Sequence, residues 1–195
     1  NSLLYPTHRT THNTSDRPGQ AMSQEHPIPD SYWVVPGKLL AGEYPGAPTE
    51  PEACRKLAIL LDAGVRQFVD LTEAGEYDLR PYWPTVQQLA AERGLEVAHE
   101  RMSIPDMTAP TPAHMRAVLD KIAAAIGQER PVYVHCFGGI GRTGTVVGCF
   151  LVEQGCDGRE ALAEIEQRRR GTPDSYRRSP ETTAQREMVL TWPAN

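Results

Sequence analysis

Apolar and polar positions along the chain fall into two rhythms, and their succession predicts the fold. Short apolar runs at Tyr32–Val35 and Lys38–Ala41 flank the turn residues Pro36 and Gly37 and read as two strands. Thr49 is placed to cap a helix that runs to Ala63 and stops at Gly64. Ala53, Leu57, Leu60 and Leu61 form its apolar stripe, with Cys54 on the border. Val65–Leu71 reads as a buried strand, Trp83–Arg93 as a helix ended by Gly94, and Val97–Met102 as a strand with poorer alternation. Thr111 followed by Pro112 marks a helix start, and Met115, Val118, Leu119, Ile122 and Ile126 carry the stripe to Gly127. Pro131–His135 is a short apolar strand leading into a glycine-rich loop. Arg142 to about Glu153 is apolar on nearly every face, which predicts a central, buried helix. Further helices are predicted over Arg159–Arg169 and Pro180–Leu190. Strands alternating with helices predict an α/β fold, with a central, largely parallel, twisted sheet of four to five strands flanked by helices.

Residues 1–30 fit neither rhythm. They are dense in Thr, Ser, Asn, His and Pro and read as a disordered leader or an appended extension, with Met22 a candidate natural start and 31–195 the folded domain. His8 and His12, although four apart, read as solvated tail residues because nothing around them predicts a helix. Length suits one compact domain plus a tail. A formal charge of −5 argues against a dedicated nucleic-acid binder, and no apolar run is long enough for a membrane span. The four cysteines lack zinc-site spacing and are too sparse for a disulfide scaffold, so a reducing cytoplasm is expected. The excess of arginine over lysine, with abundant alanine, hints at a GC-rich bacterial genome.

The segment His135-Cys136-Phe137-Gly138-Gly139-Ile140-Gly141-Arg142-Thr143-Gly144 carries the chemistry. It sets a cysteine at the end of a strand and an arginine at the start of a helix. Gly138, Gly139, Gly141 and Gly144 let the backbone curl so that successive N–H groups converge on one anion, and the helix adds its positive end. Arg142 supplies a planar, permanently charged fork. The same field favours the thiolate of Cys136, the species that attacks. Thr143 can donate its hydroxyl to that sulfur. His135 is expected to hydrogen-bond the loop backbone and hold its shape, rather than to act as a base.

The string resembles the signature of the protein tyrosine phosphatase superfamily: His-Cys, five residues, Arg, then Ser or Thr. Blocks at Lys38–Pro45, Val69–Glu73, Ile104–Asp106 and Ser179–Gln185 are similar to those of its compact, dual-specificity-like microbial branch, so the likeness spans about residues 32–190. The resemblance implies a phosphatase of phosphotyrosine, with phosphoserine and phosphothreonine as further substrates, working through a phosphocysteine intermediate with no metal or cofactor. It implies Cys136 as nucleophile, Arg142 as phosphate clamp and Asp106 as general acid, with Phe137, Gly138, Gly139, Ile140 and Gly141 completing the phosphate loop. Ile104 stands where longer members carry Trp. Gln185 matches a position that orients the attacking water. Asp70, Glu73 and Glu76 surround the end of a strand beside the site, and of these Glu73 reads as either an acid lining the pocket or a structural cap.

A phosphoinositide or inositol-phosphate phosphatase is the first alternative. Loop lysines that would meet extra phosphates are absent, and Phe137 and Ile140 favour a phosphorylated protein or peptide. An RNA 5′-phosphatase suits the acidic chain less well. A non-catalytic phosphate-binding module would usually lack one of Cys136, Arg142 and Asp106, and a sulfurtransferase would lack the Arg-Thr-Gly start of the helix. The cluster Arg168–Arg170 with Arg177 and Arg178 reads mainly as a solvated face; Cys149 and Cys156 read as small buried hydrophobes. The sequence leaves the oligomeric state open.

Overall fold

The computed structural model describes residues 26–194. His8, His12 and Met22 lie outside the described residues, as does most of the expected leader. Of its last residues, Ile28 is buried, and the ring nitrogens of His26 lie 2.7 and 3.0 Å from the carbonyl oxygens of Ser31 and Arg170.

The elements run β1 (Ser31–Val35), β2 (Leu39–Gly42), α1 (Glu50–Asp62), β3 (Gln67–Asp70), a 3₁₀ turn (Glu76–Asp78), α2 (Trp83–Glu92), β4 (Ala98–Arg101), α3 (Pro112–Gly127), β5 (Val132–His135), α4 (Arg142–Glu153), α5 (Gly158–Arg168) and α6 (Thr183–Thr191). The sheet has the order β1-β2-β5-β3-β4, and only the β1–β2 pair is antiparallel. This is the expected α/β architecture, with five strands. Alternation divides the core. Leu39, Ala41, Val69, Val132 and Val134 pack with α3 to α6 on one face, while Leu40, Phe68 and Tyr133 pack with α1 and α2 on the other. Strands covered on both faces read as continuous apolar runs, as Val132–Val134 does.

Two features place the site. His135 is in register with both Gly42 and Asp70, so three parallel strands end at one level with β5 in the middle. Ligands of open α/β sheets bind outside such carboxyl ends. Second, every residue of α4 from Arg142 to Val152 is buried, as its unbroken apolarity predicted.

Expected and observed boundaries differ by a residue or two, except at α6. That helix begins at Thr183 rather than Pro180, because Thr182 and Gln185 form a reciprocal capping box that sets its start. The 3₁₀ turn was not expected. Tyr77 and Asp78 take left-handed backbone angles there (φ +50° and +53°), which are uncommon for residues other than glycine.

Helix α4 crosses α6 at Gly148, where an added Cβ would come 2.5 Å from Val189 Cγ2. Helix propensity alone favours Ala over Gly by about 1 kcal/mol. Overpacking costs about 1–3 kcal/mol. Gly148→Ala is therefore predicted to lower the denaturant-unfolding free energy by up to about 2 kcal/mol. A stability equal to or above that of the wild type would show that the crossing adjusts freely.

Candidate active site

Beyond β5 the chain leaves the sheet, and Cys136 occupies the first position, only 3% exposed. Arg142 opens α4 at the other end of the loop, so both groups are held by buried, regular elements. Gly139 has φ +69°, and a Cβ there would lie 2.5 Å from the carbonyl carbon of Gly42 and 2.7 Å from Glu43 N. The loop is thus pressed against the chain leaving β2, a position open only to glycine. Donors from the scaffold engage its carbonyl oxygens: Tyr44 N–H on Phe137 (2.8 Å), Ser179 Oγ on Ile140 (2.7 Å) and Thr145 Oγ1 on Gly141 (2.8 Å). Among the described residues, no protein group accepts from the N–H groups of Phe137 to Gly141. Carbonyls drawn off and N–H groups left free make an anion nest.

Arg142 is 1% exposed, and a cation so buried needs counter-charge. Glu76 supplies it in bidentate form, with Oε2 at 2.7 Å from Nη1 and Oε1 at 2.6 Å from Nη2. The Ile104 carbonyl accepts from Nη1 at 3.1 Å. Asp106 adds a second carboxylate, Oδ1 lying 2.9 Å from Nη2. Burial opposes the guanidinium charge, but the bond to Glu76 overrides it and the pKa moves up. The Nε of Arg142 is buried without a hydrogen-bond partner.

Tyr77 completes the cluster. Its hydroxyl donates to Asp106 Oδ2 at 2.5 Å, and its ring packs on that of Phe137 with centroids 5.0 Å apart. The hydrogen bond to Asp106 raises the phenol pKa. Cys136, Arg142, Asp106, Tyr77, Ile140 and Gln185 line a recess of about 220 Å³. A larger groove of about 660 Å³ adjoins it and shares Tyr77, Phe137, Gly138 and Arg177.

Glu76 and Tyr77 are the residues that sequence reasoning did not single out. It had favoured Glu73, which is exposed and makes only a backbone contact, its N–H donating to Glu76 Oε2 at 2.9 Å. Glu76 stands where Glu73 was expected because the left-handed turn after Gly75 swings it across the end of the sheet. No periodicity marks such a turn.

His135 is fully buried between two partners. Nδ1 lies 3.2 Å from the Cys136 carbonyl oxygen, and Nε2 lies 2.8 Å from Tyr82 Oη. Burial pushes its pKa down to about 4. The neutral ring therefore donates from Nδ1 to the loop and accepts from Tyr82, the clamping arrangement expected of it. Asp70, at the end of β3, is also wholly buried. Burial would raise its pKa, but hydrogen bonds from His99 and Thr72 outweigh that and hold it below the usual range. It accepts from Thr72 N and Oγ1 at 2.9 and 2.6 Å and from Arg101 Nη2 at 3.0 Å, and so shapes the turn after β3.

Thr143 Oγ1 is buried and finds no partner in the protein. Gln185 is buried as well, but both ends of its amide are engaged. Oε1 accepts from the N–H groups of Glu181 and Thr182, and Nε2 donates to the Thr108 carbonyl at 3.0 Å. It thereby fastens the loop of Asp106 to α6. The arginine cluster divides: Arg169 is buried and holds the Asp174 and Arg177 carbonyls, while Arg177 lines the recess but is paired with Asp174 and Glu181. Cys149 is buried, as expected, and burial drives its thiol pKa up; Cys156 is only half-buried. Among the described residues no cluster of His, Cys, Asp or Glu could hold a metal, and no helix is long and apolar enough to cross a membrane.

A cysteine and an arginine at the two ends of an anion nest, between a central parallel strand and a buried helix, define the class of cysteine-dependent phosphatases. Residues 29–189 match the family described as Swiss Army Knife protein, DSP-PTPase phosphatase domain, and the chain belongs to that family. The tyrosine-protein phosphatase yvh1 of Schizosaccharomyces pombe is 29% identical over 122 residues, 52% of this chain but only 37% of the yeast protein. Among solved structures, Tk-PTP in its active form is 29% identical with a TM-score of 0.61, covering 83% of this chain and 94% of that one. PTPMT1 in complex with PI(5)P gives the same TM-score at 22% identity, covering 83% and 93%, and so shares the fold.

The buried neutral His135 generates a pH prediction. Its pKa of about 4 lies below the unfolded value, so the unfolded chain binds the extra proton between pH 6.5 and 4, and stability falls as pH drops through that window. From pH 7 to 4.5 the loss traceable to this residue should be about 2–3 kcal/mol. Denaturant unfolding at both pH values, with wild type against His135→Gln, reads it as the difference between the two pH slopes. Equal slopes would mean that the ring is charged in the fold.

Proposed function

We propose that the chain hydrolyses phosphotyrosine in proteins or peptides, with slower action on phosphoserine and phosphothreonine, through a phosphocysteine intermediate. One observation carries the reading: Cys136, Asp106 and Arg142, whose Nε–H is buried and unpartnered, line a single recess at the nest. Cys136 Sγ attacks phosphorus as the P–O ester bond breaks, and Asp106 passes its proton to the leaving oxygen. Asp106 then takes a proton from water, whose oxygen attacks phosphorus as the P–S bond breaks, releasing phosphate and the thiolate. Arg142 and the loop N–H groups hold the non-reacting oxygens. Because Asp106 Oδ1 sits 2.9 Å from Nη2, binding of the substrate phosphate displaces it from the guanidinium and leaves it at the mouth of the recess. Thr143, with no other acceptor, donates to the sulfur. Gln185, the residue expected to orient water, acts here by holding the acid loop through Thr108.

Phosphoprotein is favoured over phosphoinositide because Arg177, the one cation besides Arg142 among the residues lining the recess, is already paired with two carboxylates. A multiply phosphorylated ring needs free cations. Four unpaired cysteines suit a reducing compartment, and we place the enzyme in the cytoplasm of a bacterium.

Steady-state kinetics on a series of aryl and alkyl phosphates tests the mechanism. Cys136→Ser should abolish turnover. Asp106→Ala should lower kcat/KM by about 10²–10⁴ for alkyl phosphates and far less for strongly electron-withdrawn phenols, which depart unaided. A uniform loss across leaving groups would remove Asp106 from the role of acid. A phosphoinositide with a far higher kcat/KM than any phosphotyrosine peptide would overturn the substrate assignment. Glu76→Ala, which frees the guanidinium to rotate, should reduce kcat/KM by about 10–100-fold for every substrate, the worth of a charged hydrogen bond. A variant of wild-type activity would show that Arg142 is positioned without it.

A further inference from the structure

We infer that Tyr77 is a positioning residue for Asp106, holding the carboxyl at the mouth of the recess while substrate is bound. The inference rests on the reading of Asp106 as general acid and adds to it the group that aims that acid.

Tyr77 is an unlikely residue to be ordered by packing alone. It is 61% exposed, and it is followed by a second non-glycine residue in the left-handed region. Successive residues of this kind persist only where their surroundings hold them, and such strain gathers at functional sites. The surroundings are specific. Glu76 grips both terminal nitrogens of Arg142, the Tyr77 hydroxyl donates to Asp106 Oδ2, and the Tyr77 ring rests on Phe137. In a strand, neighbouring side chains would face opposite ways. Here the left-handed turn delivers two neighbours to one Arg142–Asp106 pair.

The two oxygens of Asp106 have separate partners. Oδ1 lies against Arg142 Nη2, and Oδ2 accepts from Tyr77. When a phosphate oxygen takes Nη2, Oδ1 is released. Tyr77 then remains as the hydrogen-bonding tether of a carboxyl whose side chain is 36% exposed. Its O–H occupies Oδ2, which leaves the acidic proton on Oδ1, the oxygen that had faced the phosphate seat. Asp106 is thus presented to the leaving oxygen rather than to solvent. In the second step the same bond steadies the carboxylate that takes the proton from water. The hydroxyl and the ring have separable duties: Tyr77→Phe keeps the ring on Phe137 and removes only the donor.

The test is a leaving-group series on the full chain, with four proteins: wild type, Tyr77→Phe, Asp106→Ala and the double variant. Tyr77→Phe should lower kcat/KM by about 3–30-fold for alkyl phosphates and phenols of high pKa, the range of one partly exposed hydrogen bond to a charged group. For strongly electron-withdrawn phenols it should lose less than about twofold. In the Asp106→Ala background, Tyr77→Phe should have no further effect, because its target is gone. Equal loss for all leaving groups, or an undiminished effect on top of Asp106→Ala, would make Tyr77 a structural residue and overturn the proposal. A leaving-group-selective Asp106→Ala beside a neutral Tyr77→Phe would defeat this inference and leave the acid in place. An unselective Asp106→Ala would defeat the acid itself, and this inference with it. Unchanged thermal unfolding of Tyr77→Phe separates any loss from misfolding.

Discussion

A permanent positive charge withdrawn almost wholly from water is the constraint on which this structure turns. Desolvating a guanidinium costs several kcal/mol unless partners replace the lost water. Arg142 finds those partners in segments far apart in the chain: the Glu76 carboxylate before α2, and the Ile104 carbonyl and Asp106 carboxylate after β4. One charge thereby ties the 3₁₀ turn and the loop of Asp106 over the end of β5, a loop that Gln185 also fastens to α6. It also sets the charge balance of the site. Glu76 neutralises the guanidinium, and Asp106 stands in as the anion that the nest and the unused Nε–H are arranged to receive.

Much of this was legible in the sequence. The strand, the glycines and the Arg-Thr-Gly start of α4 are contiguous, so the nest, with a cysteine at one end and an arginine at the other, could be read from local rules. Asp106 was expected near the site from a resemblance to an acid loop, and its carboxylate lies against Arg142. What local rules missed is long-range or irregular. Glu76 and Tyr77 acquire their partners 66 and 29 residues away through a turn without periodicity. Gln185 was expected to face water, yet the capping box that starts α6 binds its carbonyl oxygen and turns its amide towards Thr108. In both cases a carboxylate or amide in the sequence could have served several partners, and only the tertiary arrangement chooses.

The scaffold beneath the nest is as specific as the nest itself. Tyr82 fixes His135, His135 fixes the Cys136 carbonyl, and Tyr44 reaches the Phe137 carbonyl from the chain after β2. Both tyrosines are buried in the core on the side of α1 and α2, so the shape of the loop is inherited from packing on the face away from α4. The loop that begins at Cys136 is thus supported from one layer, and the Arg142 guanidinium is carried by a helix of the other.

The contrast between Gly139 and Phe137 has an evolutionary consequence. Gly139 touches its neighbour so closely that no side chain fits, whereas Phe137 serves the cradle through its main chain and leaves its ring half in solvent between the recess and the wider groove. Every amino acid except proline carries that main chain. Descendants of this protein can therefore rewrite position 137 wherever the new side chain still supports the Tyr77 ring, and with it what passes between recess and groove, while position 139 stays silent. Diversification of what the enzyme recognises can run ahead of any change in how it reacts.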